Sequence, residues 1–450
     1  MARYKEYDQS QGEFLTINFK EQLLPGTFEY TINYLIDEKL DFSEMDCHYI
    51  NDETGAPAWD PRIMIKMVLF AYSLGINSSR KIERLCKTNI IMKSLTADSQ
   101  PHFTVIADFI LSMQNEIQSM SVQILMICEE LDLLGETLFA VDGCKLPSNA
   151  AKEWSGKFAD LEKKMGPRNR EVQSNITDNE SAKIKSSKGV IQGCNGIAVA
   201  DEKNQVIIAA ETFGRGQEQR FFKPLLDQTE ENLKTITGNK EDNPLEGKTI
   251  LADTGYFCED NLKAAADRKM EAVIPDNHFR QRDNRFDDRS RKSGVDYKFT
   301  QSDFQFNKEN NTYTCPNEKI LKFIGHQKLY GNEGNKYQTR TSDCKNCQLR
   351  EKCFRRNTEK AKNRTLYVVD TGDGPNYSKE MRDNIDRPEI RDLYSKRMGI
   401  IEPVFANITS CKRLDRFTLR SKAKVNIQWL LYCIVHNIGK IQNAIIPDTG

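Results

Sequence analysis

Two aspartates occupy the same kind of position in this 450-residue chain. Asp142 closes the β-rich run 137–141 and is followed by Gly143; Asp253 closes the apolar run 249–252 and is followed by Thr254-Gly255. Strand ends in an α/β sheet are where ligands and metals gather. Two carboxylates on adjacent strands can share divalent cations, and Mg²⁺ favours one or two such oxygens together with water and phosphate. The same Asp-Gly and Asp-Thr-Gly sequences also serve as plain turns. A third signal lies downstream, where Tyr394, Arg397 and Glu402 share one helical stretch. A basic block, CKRLDRFTLRSKAK, follows at once, and residues 391–440 hold ten Lys or Arg against three Asp or Glu. A carboxylate for metal, flanked by cations for phosphate, is what phosphodiester chemistry requires; the alternative is a solvated basic helix face.

A second constellation is Cys315, Cys344, Cys347 and Cys353, spaced C-x28-C-x2-C-x5-C. A Cys-x-x-Cys pair on a turn can grip one tetrahedral Zn²⁺, and two further thiolates can close its shell. Structural zinc, a reduced pair with two bystanders and a redox pair all fit this spacing. The remaining cysteines stand apart, with Cys86, Cys128 and Cys433 in apolar helical patterns, as reduced buried thiols do. The five histidines are scattered, and His436 on an apolar helix reads as a satisfied core residue.

The elements that must position these groups follow from periodicity. Residues 28–130 read as helical. Asp60-Pro61 opens the helix PRIMIKMVLFAYS, Gly75 closes it, and Ser78 or Ser79 caps a shorter helix. Such a pair fits a helix-turn-helix unit or an ordinary helical hairpin. A further helix is expected over 103–133, its apolar stripe serving as core. The period then changes to strands at 137–141, 196–201 and 206–211. A helix over 217–235, a strand at 249–252, a helix to about 268 and a strand at 272–274 complete an order that predicts an α/β sheet with mixed strand directions. Residues 151–188 are polar, with 157–173 read as helical and the remainder as linker. Residues 276–310 read as an inserted charged loop or a surface that folds on a partner. From 378 the pattern is helical again, with Pro403 disfavouring helix at Glu402 and predicting a kink there.

Lys plus Arg and Asp plus Glu both number 65, so the net charge is zero and a uniformly basic nucleic-acid coat is excluded, though local patches are not. Mean hydropathy is −0.63, and the chain has neither a run long enough to span a bilayer nor an export pattern at its start. A cytoplasmic, membrane-free location is expected.

Four stretches together resemble the DDE transposases of bacterial insertion sequences, particularly the eleven-eighty-two group. They are DPRIMIKMVLFAYSLGINSSRKIERLC, FAVDGCKLPSNA, ILADTGYFCEDNL, and YSKRMGIIEPVFANI with RFTLRSKAKVNIQWLLYCIVHN. The resemblance implies an α/β fold: an RNase H-like catalytic core, a mixed sheet flanked by helices, with an all-α N-terminal domain and a small Cys-rich insert. Its divisions would be 1–133, helical and DNA-binding; 134–275, the first part of the core with both aspartates; 276–377, the insert with the cysteine cluster and zinc; and 378–450, the C-terminal helical part of the core with the glutamate.

In that family Asp142, Asp253 and Glu402 would be the catalytic triad and hold two Mg²⁺ ions, with Mn²⁺ able to substitute. Tyr394 and Arg397 would position phosphates. The chain departs from relatives in having four residues rather than three between Arg397 and Glu402. Thr409 also stands where a lysine is usual, Lys412 being the nearest substitute. DNA contacts are expected from Arg80, Lys81 and Arg84 on the short helix and from the basic block that opens with Lys412 and Arg413. The implied partners are double-stranded DNA, as element ends and as target, and a second copy of the chain, since joining two ends requires at least a dimer. The location would be the bacterial nucleoid. A catalytically silent DNA-binding protein, or a metal-dependent nuclease on the same fold, are the competing functions.

Overall fold

The computed structural model describes residues 16–49, 57–165, 171–186, 189–238, 243–282, 298–329, 332–354, 361–369 and 375–445. Helices come first: α1 (Phe28–Tyr34), α2 (Ser43–Asp46), α3 (Pro61–Ser73), α4 (Ser79–Thr88), α5 (Ile90–Leu95), α6 (Phe103–Ser112) and α7 (Gln114–Glu130). Asp60 caps α3, its Oδ1 accepting from Arg62 N at 2.7 Å, and Gly75 turns the chain toward α4 at φ 74°. The single helix expected over 103–133 is two. Met113, at φ −97° and ψ 40°, breaks it and starts α7, while its own side chain stays buried. The apolar stripe therefore continues across a bend that carries no proline or glycine.

The main sheet is built from β1 (Leu138–Pro147), β4 (Ala182–Ser186), β5 (Gly189–Asp201), β6 (Ile207–Phe213), β7 (Thr249–Ala252) and β8 (Glu271–Val273). Two-residue strands β2 (Ser155–Gly156) and β3 (Ser174–Asn175) pair with each other between β1 and β4. Of the stretch 157–173, the described part 157–165 is not helical, and 166–170 lies outside the described residues. The spatial order is β4-β5-β1-β7-β8, with β6 also on β5. The β4, β6 and β1 ladders on β5 are antiparallel. The ladders from β1 to β7 and from β7 to β8 are parallel. Helices α8 (Phe222–Thr237) and α9 (Glu259–Ala266) make the crossovers that parallel strands need. The fold is thus mixed α/β.

A second, five-stranded antiparallel sheet contains β9 (Gln305–Asn307), β10 (Thr312–Thr314), β11 (Ile320–Leu329), β12 (Asn332–Gln338) and β13 (Thr365–Val369). The short helices α10 (Thr341–Lys345) and α11 (Arg350–Cys353) are set between its last two strands. The charged stretch 276–310 is therefore not one loop. Phe279 is buried in the main core, β9 belongs to the small sheet, and 283–297 lies outside the described residues.

The chain returns through α12 (Tyr377–Asn384), α13 (Pro388–Ala406) and α14 (Lys422–Ile445). Helix α14 is buried nearly all round, as a helix enclosed on every side must be, because it lies between α1, α3, α6 and α7 and strand β6. Trp429 at its centre donates Nε1–H to Ile197 O at 3.1 Å. Its ring fills the space over Gly196, where any side chain would stand 3.0 Å from it. One hydrophobic core runs from Ile32 to Ile441, and the small sheet has its own core of Phe304, Tyr313, Leu321, Tyr337 and Leu366. Among the described residues, no helix is long and apolar enough to cross a membrane.

Candidate active site

The parallel ladder of β1 and β7 ends with Val141 opposite Ala252. The next residues on the two strands are Asp142 and Asp253, so the register puts the two carboxylates side by side on strands about 5 Å apart. β1 itself does not end there. It continues to Pro147 against β5, because β5 runs on past the end of β7. Each aspartate is oriented by its own turn or strand. Asp142 Oδ1 accepts from Gly143 N at 2.7 Å, and Asp253 Oδ1 accepts from Thr254 N at 2.6 Å and Thr254 Oγ1 at 3.1 Å.

Helix α13 packs across β1, β5 and β7 and delivers Arg397. Its guanidinium, 9% exposed, donates from Nη1 to Asp142 Oδ2 at 2.6 Å. Burial works against the charge of Arg397, but the neighbouring carboxylates of Asp142 and Asp253 outweigh it and hold the guanidinium more firmly protonated than usual. Its Nε–H is buried without a hydrogen-bond partner. The guanidinium also lies 5.9 Å from the centre of the Tyr394 ring, one turn earlier on the same helix. Burial raises the Tyr394 phenol, with Arg397 opposing.

Glu402 is exposed and helical, not at a break. Pro403 lacks the N–H that the Gly399 carbonyl would accept, and its ring crowds that carbonyl. Gln205, from the β5–β6 turn, donates Nε2–H to it at 3.0 Å instead. The helix thus continues through Pro403 to Ala406, and a π-helical turn over Asn407–Cys411 follows. Glu402 faces the same neighbourhood as Asp142. The thiol of Cys144, two residues past Asp142 on the same strand face, is pushed up to about 11 by burial, then by Asp142 and Glu402.

The donors are hard carboxylate oxygens, the chemistry that suits Mg²⁺ or Mn²⁺. Asp142 Oδ2 is engaged by Arg397 in this arrangement. Among the described residues, no three His, Cys, Asp or Glu side chains converge closely enough to hold a metal ion.

The four cysteines gather at one end of the small sheet, all as free thiols. Cys315 Sγ accepts from Lys319 N at 3.3 Å, Cys347 Sγ from Asn317 Nδ2 at 3.4 Å, and Cys344 Sγ lies 3.0 Å from Thr339 Oγ1. Burial pushes the Cys353 thiol up to about 11, with Cys344, Cys315 and Cys347 adding to it against Arg364. Soft thiol donors in that number suit zinc in kind, but among the described residues no three of these thiols converge closely enough to hold a metal ion either.

The candidate DNA contacts fall elsewhere. Arg80, Lys81 and Arg84 are exposed on α4, whose Ile82 and Cys86 are buried, and Arg80 lies 4.8 Å over the Phe103 ring. Lys412 does not join the carboxylates. Its ammonium sits 5.4 Å over Phe28, where burial lowers its pKa. Arg413 is exposed at φ 55°. His436 is a satisfied core residue, with Nδ1 3.1 Å from Asn407 Oδ1 and Nε2 2.9 Å from Gln205 O. Beside the aspartates stand Lys145 and Tyr256, within the resembling stretches but given no role there, and Asn195 and Glu218, which no motif marked. Register alone places Asn195 there, opposite Lys145.

The chain matches two families. The transposase domain family DUF772 matches residues 17–111, and the transposase DDE domain family matches residues 314–442. The first covers α1 to α6 and the second ends with α13 and most of α14, leaving Asp142 and Asp253 between them. No curated protein matches the chain. Two solved structures are similar to parts of it. The Mos1 transposase paired-end complex with left transposon end is 9% identical, with 54% of this chain and 67% of that chain covered and a TM-score of 0.19. A pre-cleavage Mos1 transpososome is also 9% identical, with 57% and 80% covered and a TM-score of 0.19.

Proposed function

Since the chain belongs to the DDE transposases of insertion sequences, we propose that it binds the terminal inverted repeats of its element, cuts the DNA there and joins the cut ends to a target. The observation that carries this reading is the in-register pair Asp142 and Asp253 on adjacent parallel strands, with α13 laid across them and Arg397 on Asp142. The main sheet is read as an RNase H-like core. Its support is the strand order, with β5 antiparallel to both β1 and β6, and with β7 and β8 parallel to β1.

Asp142, Asp253 and Glu402 are the residues that would hold two Mg²⁺ ions, which supply activation of the attacking water or 3′-hydroxyl and neutralise charge at the scissile phosphate. The protein's own groups do the rest. Arg397 orients Asp142 through its Nη1–H, and its unpartnered Nε–H is a donor for a phosphate oxygen. Tyr394, stacked edge-on with Phe279 at 5.4 Å, fixes the wall against which Arg397 lies. Arg80, Lys81 and Arg84 on α4, together with Arg413, are the cations for DNA outside the cutting site, and Lys412 supports that region from beneath. The cysteine-bearing small sheet is read as an insert held by structural zinc. At least two copies would act together on DNA, in the cytoplasm at the nucleoid.

The test uses labelled DNA carrying the inverted repeats that flank this reading frame, with Mg²⁺ or Mn²⁺, and compares wild type with Asp142→Asn. Cut and joined products from wild type, with binding alone from the variant, are expected. Binding by both without cutting in either metal would overturn the catalytic reading in favour of a silent DNA-binding protein. Cutting without joining would favour a nuclease.

A further inference from the structure

A buried polar pair lies behind the two aspartate-bearing segments. Glu218, only 9% exposed, accepts through Oε1 from Asn195 Nδ2 at 3.1 Å and from Lys145 Nζ at 3.0 Å. Asn195 is fully buried, and its Oδ1 has no hydrogen-bond partner. The pair spans from one aspartate to the other. A Cβ on Gly143, next to Asp142, would stand 2.7 Å from Asn195 Oδ1, and a Cβ on Gly255, two residues past Asp253, would stand 2.6 Å from Glu218 Oε2. A side chain at either position would therefore have to displace this one pair.

Side chains alternate along a strand, so Lys145 points to the sheet face opposite Asp142 and Cys144. Glu218, bound to Lys145 and Asn195, thus approaches from the back and acts on the aspartates through the backbone beside them, strand β1 at Gly143 and the turn at Gly255. Tyr256 fills the space between. It is fully buried, and its hydroxyl has no hydrogen-bond partner. Its phenol is raised by burial, then by Glu218, Asp142 and Asp253. A charged pair at this burial is weak as a source of stability, because desolvation offsets the attraction, and is better suited to holding an orientation.

We propose that Glu218 is a positioning residue that, with Asn195, sets the spacing of the Asp142 strand segment and the Asp253 turn and so their capacity to hold a divalent cation. This rests on reading the two aspartates as metal-holding carboxylates. What matters is then the reach of the side chain and its acceptor oxygen, not its charge. Glu218→Gln keeps both, whereas Glu218→Asp keeps the charge and shortens the reach.

Mn²⁺ titrations of the full chain, read by the shift in melting temperature, test this directly, with Asp142→Asn as the control that abolishes the shift. Glu218→Asp is expected to raise the Mn²⁺ midpoint about tenfold or more, as loss of outer-shell support does at metal sites, while Glu218→Gln stays within about threefold of wild type. A normal midpoint in Glu218→Asp, an impaired one in Glu218→Gln with Glu218→Asp spared, or no Mn²⁺ response in wild type overturns the proposal. DNA nicking is scored separately on the same proteins. Wild type that responds to Mn²⁺ through Asp142, with the expected order of midpoints, yet never nicks element ends sinks the transposase reading and leaves the brace standing.

Discussion

Arg397 and Asp142 are each other's principal electrostatic partner, with side chains 9% and 17% exposed. Removing one member of such a pair leaves an uncompensated charge and typically costs about 3–5 kcal/mol. Arg397→Ala should therefore lower the urea midpoint markedly at pH 7. Arg397→Lys should recover much of that stability yet cut element ends poorly, because an ammonium cannot satisfy Asp142 and offer a second fixed donor together. Equal nicking by Arg397→Lys and wild type would remove the phosphate role. Cys144 gives a second check. With its thiol pushed up to about 11 by burial, Asp142 and Glu402, it should resist iodoacetamide at pH 8 while exposed Cys47 and Cys411 react, as peptide mapping of the alkylated native protein would record. The aspartates were legible in sequence because each follows an apolar, strand-like run and precedes a turn-forming glycine or Thr-Gly, although only Asp253 in fact leads into a turn. Asn195 and Glu218 were not, because what brings them to Gly143 and Gly255 is strand register and the path of a loop, which no local pattern encodes.

Helix α13 shows how an element can defeat a sound local rule. Pro403 disfavours helix at Glu402, yet Glu402 is helical, because Gln205, nearly two hundred residues earlier, takes the carbonyl that proline leaves free. The turn holding Gln205 also meets α14, since His436 Nε2–H donates to Gln205 O at 2.9 Å, with the Asn407 side chain against Nδ1. Burial, opposed by the Gln205 hydrogen bond, lowers the His436 pKa to about 4 from 6.5. The sign follows directly. Between these values the unfolded chain binds a proton that the folded chain refuses, so stability rises with pH across this window. The contribution, about 3 kcal/mol, is fully present above pH 6.5 and lost as pH falls toward 4. His436→Gln should therefore show a shallower loss of unfolding free energy between pH 7 and pH 4.5 than wild type. Parallel slopes in denaturant titrations would rule out this origin. Helix existence here was readable from apolar spacing, as α3 and α14 show. The bend at Met113 was not, because nothing in its residue type interrupts the stripe.

At the scale of the whole molecule, two bodies of very different self-sufficiency share one chain. The main core joins α1 through α7, the mixed sheet and α12 to α14, with α14 buried among them, so these parts should unfold together. Among the described residues the core of the small sheet is five buried side chains, short of what a module of that size needs without a staple. Four cysteines at its edge are the available staple, and binding energy at a structural zinc site is folding energy. Purified protein should accordingly carry about one zinc per chain by elemental analysis. A strong chelator should open 298–369 to trypsin while leaving the main melting transition within a few degrees of its starting value. Cys347→Ser should reproduce both effects, and added Zn²⁺ but not Mg²⁺ should reverse the chelated state, because thiolates select the softer ion. A zinc-free protein, or a proteolytic pattern indifferent to chelation, would mean that the cysteines are packing residues and that the small sheet owes its stability to the surface of the main body.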